Sequence, residues 1–544
     1  MAVSIHSTEG TPTLTVGDEP LSLEQVEALA SGRARPSVSQ AALTRIRKSY
    51  ELMQRRLLEG QNVYGVTTGY GNSSRTHVRR DLASDLSQNL VRFHGCGTGR
   101  YLTEFESAAV LAVRLCSLTA GCSGVRPEVI GRLCELLERR ILPAIPAEGS
   151  VGASGDLTPL SYVAAVLVGE REVLDLRSGQ SSFLSASGEG ATPVRLRPAA
   201  DALAECDLRP MKLQPKEALA LMNGTSVATA LSVSALLSAE RLARLAARVT
   251  ALASFTCCGN PEHFDPFVHQ VKGHPGQVQA ASWIRAELAR LPWAPAPARL
   301  QDRYSIRCAP HVLGVLLDAL HWFRTIVSTE LNGVSDNPVV DAERQLVLHG
   351  GNFYGGHVSF AMDGLKAAVA SVADMLDRQL VLLCLPGESA GLPENLVGER
   401  GDAACTHHGF KAMSISASAL TAEALKLTMP ASAFSRSTEA HNQDKVPMAT
   451  IAARDALRVV ELTEQVAAIS VLAACQAAEL RGREQPADAQ AAGTQAGGSL
   501  GSLHRVVRQH VPFLSADRRM DRDIAQVLQL IRQGALEEAE PEGS

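Results

Sequence analysis

Rings are what this sequence has least of: 3 Trp, 7 Tyr and 12 Phe amount to 4% of 544 residues. A chain this long buries a large core, and with so few rings that core must be filled by Ala, Leu and Val. Such residues suit closely approaching helices better than β-sandwich strands, which favour aromatic and β-branched side chains. An excess of one charge is missing too. With 52 Lys and Arg against 57 Asp and Glu, the net charge is −5, which excludes a generally basic nucleic-acid binder and a mostly acidic disordered chain. The 11 cysteines are odd in number and include no C-x-x-C pair, so free thiols in a reducing cytoplasm are expected. The opening MAVSIHSTEG lacks the basic-then-apolar order of a secretory signal. Apolar runs such as Tyr162–Val168 fall far short of the ~18 residues of a membrane span. Cys257-Cys258 and the group Cys405, His407, His408 have no second cluster at ligand spacing, and no metal is expected.

What the chain does have is helical recurrence of small apolar residues. The spacing predicts amphipathic helices over Leu21–Ala30, Ser39–Glu59, Glu104–Ala120 and Pro127–Arg140, separated by Gly-rich loops at 65–75, 95–99 and 149–155. From Lys216 on the character changes. Thr225–Ser254, His311–Leu331, Gly364–Leu385, Gly409–Leu427 and Ala449–Leu480 repeat a pattern of Ala, Leu and Val with Ser and Arg, implying long helices at close interaxial distance. The fold class expected is mainly α. It divides into a mixed N-terminal domain (1–210), a central helical bundle (211–485), and a linker with a charged helical tail (486–544). A polar Gly/Ser-rich insert at 178–192 reads as a surface loop or hairpin.

Two Gly-rich segments are candidates for chemistry. Gly95-Cys96-Gly97-Thr98-Gly99 has the wrong spacing for a dinucleotide fingerprint and follows a helical-looking Leu86–Phe93, so it reads as a tight loop. The second, GSVGASGDLTPL from Gly149 to Leu160, sets Ala153-Ser154-Gly155 among small residues, with Asp156 placed to cap a helix starting at Leu157. Glycine-rich backbone reaches conformations closed to other residues. If the Gly155 nitrogen is pressed onto the Ala153 carbonyl carbon, a five-membered ring closes. Loss of two waters, one carrying the Ser154 hydroxyl, leaves an exocyclic methylidene, an electrophile that no ordinary side chain supplies. Ala-Ser-Gly also occurs at 30–32 and 186–188, so the tripeptide alone indicates only a loop, and context decides.

That context resembles the aromatic amino acid ammonia-lyases and aminomutases. GSVGASGDLTPLSYVA is similar to the family signature, and further matches follow in family order: YGVTTGYG at 64–71, MNGTS at 222–226, QDRYSIRCAP at 301–310, ELNGVSDNP at 330–338, HGGNFYG at 349–355 and HNQDKVPM at 441–448. The resemblance implies the long helical bundle of the aspartase/ammonia-lyase superfamily. It also implies a homotetramer whose active sites are built from several subunits, and a 4-methylidene-imidazol-5-one group (MIO) formed from Ala153, Ser154 and Gly155. It implies removal of ammonia and a β-proton from an α-amino acid. Tyr64 matches the family's base; a free phenol titrates near ~10, so local positive charge is expected to ionise it in part. Arg307 matches the carboxylate anchor, a task suited to the planar guanidinium fork. Tyr304 and Asn223 match residues that hydrogen-bond the MIO or the amine, with Gln301 in the same polar network. Phe353 matches the aromatic wall beside the MIO.

Specificity is expected from Phe93-His94 and from Asn442-Gln443 of the HNQD motif. Phenylalanine-selective members resemble Phe-Leu at the first pair, tyrosine-acting members His-Leu and histidine-acting members Ser-His, and this chain departs from all three. Phe93 offers an apolar contact to an aryl ring and His94 a partner for a phenolic hydroxyl. Gln443 stands where histidine-acting members carry Glu, so an imidazole loses its charge partner. The expectation is a cytoplasmic tyrosine ammonia-lyase making 4-hydroxycinnamate (p-coumarate), with no metal, nucleic-acid or membrane partner. The alternatives are a tyrosine 2,3-aminomutase giving β-tyrosine, then a histidine ammonia-lyase, and, in another class, a non-catalytic helical assembly protein. Intact Tyr64, Ser154, Asn223 and Arg307 speak against the last.

Overall fold

The computed structural model describes residues 10–178, 194–483 and 500–537. Apart from Ser178, the insert expected at 178–192 falls outside the described residues, as does most of the linker after Gln485. Among the described residues helix dominates, and strands occur only as short pairs: Thr13–Val16 with Arg35–Val38 (parallel), and the antiparallel pairs Thr98–Tyr101 with Pro146–Glu148, Glu172–Leu174 with Leu196–Pro198, and Val339–Asp341 with Leu346–Leu348. Four long helices carry the core: Ser226–Thr256, Ala309–Leu331, Gly356–Cys384 and Ala449–Arg483.

Small side chains make these helices packable. Ser226–Thr256 buries Ala228, Leu231, Ala235, Leu242, Ala246, Val249 and Ala253 almost completely. Its polar residues are satisfied within the helix, since Thr229, Ser232 and Thr250 each donate a hydroxyl to the carbonyl four residues back. The helix Gly356–Cys384 starts earlier than the expected Gly364. Val358, Ala361, Met362 and Leu365 already recur on a fully buried face, and the Gly-rich approach masked that start. Helix entry is specified locally elsewhere: before Glu104–Thr119, Thr103 and Glu106 form a reciprocal capping box.

The chain groups into two compact units that interleave in sequence. The first comprises residues up to Ser234, Arg324–Asp363 and Pro430–Arg454; the second comprises Ala235–Phe323, Gly364–Met429 and residues from Asp455 on. This differs from the contiguous blocks expected with boundaries at 210 and 485. Four of the unit boundaries fall inside the four long helices, where no linker marks them, and the fifth lies at Met429/Pro430, between helices.

In the second unit the charged tail is two helices, Ser502–His510 and Asp521–Arg532, parted by a segment containing Pro512, which cannot continue a helix. They are held firmly. Arg248 donates to Ser502 Oγ (2.6 Å) and to the Leu536 carbonyl (2.5 Å), Arg532 pairs with Glu464 (2.9 Å), and Gln476 bonds both the amide and the carbonyl of Leu514 (3.0 Å each). The Cys405, His407, His408 segment serves the same docking: the amides of His408 and Gly409 donate to the Asp517 carboxylate at 2.8 and 2.9 Å. Among the described residues no group of three or more His, Cys, Asp or Glu is placed to hold a metal ion, and all eleven cysteines are unpaired.

Candidate active site

The first unit folds the Gly149–Gly155 loop into a turn that few sequences can adopt. Gly152, Ser154 and Gly155 have φ of +79°, +55° and +74°, a left-handed region that a non-glycine residue such as Ser154 enters only where its surroundings compel it. A Cβ on Gly152 would stand 2.8 Å from Pro447 Cγ, and one on Gly155 would collide with the Gly224 carbonyl. The Gly155 amide turns back to the Gly152 carbonyl at 3.2 Å, and the Asp156 amide donates to the Gly224 carbonyl at 2.7 Å. This compressed, glycine-rich turn fits the MIO group, whose formation needs the backbone at 153–155 folded back on itself.

Asp156 does not cap the helix Leu157–Leu167 that follows it, contrary to the sequence expectation. Its buried carboxylate accepts instead from the Val227 and Ala228 amides at 3.0 and 2.9 Å, at the start of Ser226–Thr256, and from the Thr450 and Ser150 hydroxyls. Burial raises its pKa, with these donors opposing. Asp156 therefore ties the tripeptide to MNGTS. There Asn223 Nδ2 donates to the Ser154 carbonyl at 3.0 Å, while its Oδ1 is buried with no partner, an acceptor facing nothing within the unit. Under this loop lies fully buried Arg114, donating to the carbonyls of Ala220, Asn223 (3.1 Å) and Ser335 (3.3 Å). Beside it Lys216 and Asp336 pair at 2.7 Å, also buried. Arg114, Lys216 and Asp336 were not singled out from the sequence. The lone charge of Arg114 inside AAVLAVRLCSLT was the available signal, since a buried cation must have partners.

Tyr64 enters from a second loop. Its hydroxyl accepts from the Gly71 amide at 2.8 Å, its own amide donates to His349 Nε2 at 3.2 Å, and its ring meets Tyr70 edge-on at 6.5 Å. The expected ionising positive charge is not what this unit supplies. Burial pushes the Tyr64 phenol up and the carboxylate of Glu439 adds to it, against the single Gly71 donor. A cavity of about 290 Å³ opens between the loops, lined among others by Tyr64, Ala153, Ser154, Phe353, Asn442, Gln443 and Lys445. That is near the lower end of small-molecule pockets, about 300–1,000 Å³. In the unmodified chain Gln443 Nε2 donates to Ser154 Oγ at 3.0 Å, the hydroxyl that MIO formation removes.

Phe93, His94, Gln301, Tyr304 and Arg307 are not among the residues lining this cavity. Phe93 and His94 end the helix Ala83–Phe93 with rings 4.5 Å apart. Burial, and then nearby Arg171, lower the His94 pKa to about 4, so its imidazole is neutral. Gln301, Tyr304 and Arg307 belong to the second unit. There Arg307 lies 4.8 Å over the Tyr304 ring and donates Nε to the Asp302 carbonyl at 3.3 Å, while Tyr304 is 73% exposed.

Residues 21–500 match the family described as aromatic amino acid lyase. A histidine ammonia-lyase of Anaeromyxobacter dehalogenans is 38% identical over 530 residues, 96% of this chain and 99% of that protein. Among solved structures, a tyrosine aminomutase from Streptomyces globisporus is similar with a TM-score of 0.85 at 33% identity, covering 96% of this chain and 97% of that one. A histidine ammonia-lyase from Trypanosoma cruzi is similar with a TM-score of 0.82 at 31% identity, covering 96% and 94%.

Proposed function

This chain belongs to the aromatic amino acid lyase family, a family of MIO-dependent enzymes, and from that premise we propose that it removes ammonia from L-tyrosine to give 4-hydroxycinnamate. The observation that carries the choice of ring is Gln443. A neutral amide occupies the cavity wall where an imidazole substrate would call for a carboxylate, and MIO formation removes the Ser154 hydroxyl that holds this amide in the unmodified chain. Phe93 with a neutral His94 supports the same choice, offering an apolar face and a hydrogen-bond partner for a phenol. Sites built to bond a substrate hydroxyl reject analogues lacking it by up to about 10⁴–10⁵-fold.

In this reading Ala153, Ser154 and Gly155 supply the MIO, which gives the site an electrophile for the substrate amine. The chain's own groups do the rest. Tyr64 takes the β-proton, and the amine leaves from the α-carbon with its bonding pair as the Cα–Cβ double bond forms. Asn223 presents its free Oδ1 to an amine N–H. In the proposed tetramer, whose sites the family resemblance builds from several subunits, Arg307 is assigned to the substrate carboxylate and Tyr304 and Gln301 to the same polar network, while Phe353 and Asn442 line the cavity wall. The assembly proposed is a cytoplasmic homotetramer. Val315 and Trp322 on Ala309–Leu331, and Ile415 and Leu425 on Lys411–Lys426, are large apolar side chains left exposed in one chain, a surface that a second copy would cover. Light scattering in solution tests that assembly.

A second reading, tyrosine 2,3-aminomutase, is favoured by the likeness to the Streptomyces globisporus enzyme; it uses the same residues and returns the amine to the β-carbon. Offering tyrosine, phenylalanine and histidine separately and resolving the products decides among them. Cinnamate-type acids support the lyase, β-amino acids the aminomutase, and urocanate would overturn the choice of ring.

A further inference from the structure

We propose that Glu439 is a positioning residue that sets the place of the Tyr64 hydroxyl through the backbone amides of Asn72 and Gly71, an inference that rests on Tyr64 being the base. Glu439 belongs to none of the motifs that carry the family likeness, and it lies exposed, where an acid is ordinarily just solvated. Its geometry is not that of a solvated acid. Both carboxylate oxygens accept from the Asn72 amide, each at 2.9 Å, and the preceding amide, Gly71, donates to the Tyr64 hydroxyl at 2.8 Å. Adjacent amides of one peptide segment thus point at the carboxylate and at the phenol. The two amides lie in adjacent peptide planes hinged at the Gly71 Cα, against which the Glu439 carboxylate is packed, so releasing the carboxylate frees the hinge that aims the Gly71 amide at the phenol. Gly71 itself is left-handed at φ +53°, and a Cβ there would stand 2.5 Å from Glu439 Cδ, so the close approach is possible only for glycine.

The segment bearing Glu439 is itself held in a costly shape. Glu439, Ala440 and His441 are three successive left-handed residues, with φ of +51°, +53° and +64°, a conformation that non-glycine residues keep only where the surroundings over-determine it. The restraints are visible. Thr438 and Gln443 pair through both backbone amides, at 2.9 and 3.3 Å, and Ser437 Oγ meets His441 Nδ1 at 2.6 Å. The far side of the same turn is Gln443, whose Oε1 accepts from the Thr438 hydroxyl and whose Nε2 donates to Ser154 Oγ, both at 3.0 Å. One strained turn therefore grips the Tyr64 loop at one corner and, until MIO formation removes the hydroxyl, Ser154 at the other.

Charge gives the argument its direction. A carboxylate beside a phenol opposes ionisation of that phenol, so Glu439 works against the electrostatic need of a base, and its use there is geometric. The other titratable or charged groups around Tyr64 are Tyr70 on its own loop, His349 at its amide, and Asp444 and Lys445 in the cavity wall; the variants below leave all of them unchanged.

The test compares Glu439→Ala, Glu439→Gln and Tyr64→Phe in the full-length enzyme, with intact mass reporting whether the MIO has formed. A displacement near 1 Å of a reacting group costs about a hundredfold. Glu439→Ala is accordingly expected to lower kcat by about that factor with KM little changed and the mass deficit kept. Glu439→Gln keeps an acceptor for Asn72 but loses the charge, so it should retain most of kcat while the rising limb of kcat against pH moves to lower pH. If Glu439→Ala turns over like the parent, or if Glu439→Gln loses as much kcat as Glu439→Ala, the positioning role is overturned. Should Glu439→Ala also lose the mass deficit, the kcat of Glu439→Gln decides alone. Tyr64→Phe separates the two readings: turnover surviving in that variant removes Tyr64 as the base, whatever Glu439 does.

Discussion

The same three residues, Ala-Ser-Gly, end in different chemistry at 30–32 and at 153–155. At the first site Ser31 closes the helix Leu23–Ala30 with ordinary right-handed angles (φ −82°), its hydroxyl donating to the Glu27 carbonyl at 2.7 Å. Gly32 is left-handed (φ +73°), as helix ends favour, with open space where a Cβ would point. At the second site Ser154 itself is left-handed, Gly155 is pressed onto Gly224, and the flanking Asp156 is bonded to a helix start more than seventy residues on. The tripeptide is the same; the confinement is not. What differs is whether distant chain leaves the backbone any freedom to relax.

Substituting the serines breaks the comparison most widely. Ser154→Ala is expected to abolish turnover and to remove the two-water mass deficit, with the helical circular dichroism unchanged. Ser31→Ala should leave activity and mass alone. An unmodified mass in the parent chain would sink the MIO assignment altogether. The glycines come next. Gly155→Ala meets both a left-handed φ and the Gly224 carbonyl, and is expected to destabilise by about 2–5 kcal/mol and to lose turnover. Gly32→Ala meets only the backbone strain, about 1–2 kcal/mol, with turnover kept. Equal melting shifts in the two variants would show that the confinement at 155 is not real.

This contrast also marks how far the sequence could be read. Helix-rich composition, the long helices and the motifs were legible because they are periodic or contiguous. Contacts between distant segments were not. Asp156 looked like the cap of the next helix because Asp before Leu157 is locally sensible, yet it caps Ser226–Thr256. Gln443 was read from its motif alone, while its bond to Ser154 Oγ spans 289 residues of chain. Tyr64 was expected to meet positive charge, and within its unit it meets Glu439 instead. Glu439 carried no motif at all; its meaning lies in a turn that brings it to Gly71 and Asn72. The two interleaved units were hidden for the same reason, since helices that run through a boundary leave no linker to find.

Asp156 offers the next, smaller test of confinement. Asp156→Ala strands the Val227 and Ala228 amides in a buried place. Losing a cap costs about 0.5–2 kcal/mol and leaving buried donors unpaired about 1–3 kcal/mol, so a loss of about 2–4 kcal/mol in chemical denaturation is expected. Turnover should fall with it, because the tripeptide loses its tie to the Asn223 loop. The control is Arg33→Ala, after the other copy, where an exposed ion pair with Glu27 contributes about 0–1 kcal/mol.

The last contrast concerns two helix ends, Ser31 and His94. A helix C-terminus favours a cation, yet burial and then Arg171 hold the His94 pKa at about 4. The unfolded imidazole titrates near ~6.5, so between these values the unfolded chain binds a proton that the folded chain does not. Stability then rises with pH across that window and is lost as the pH falls from about 6.5 toward 4. Ser31 has nothing to titrate, so the first Ala-Ser-Gly site adds no such slope. Urea denaturation at steps across the window should show less acid sensitivity in His94→Gln than in the parent. An unchanged slope would mean that His94 is protonated in the folded chain, and with it would go the neutral hydrogen-bond partner that the tyrosine reading places beside Phe93.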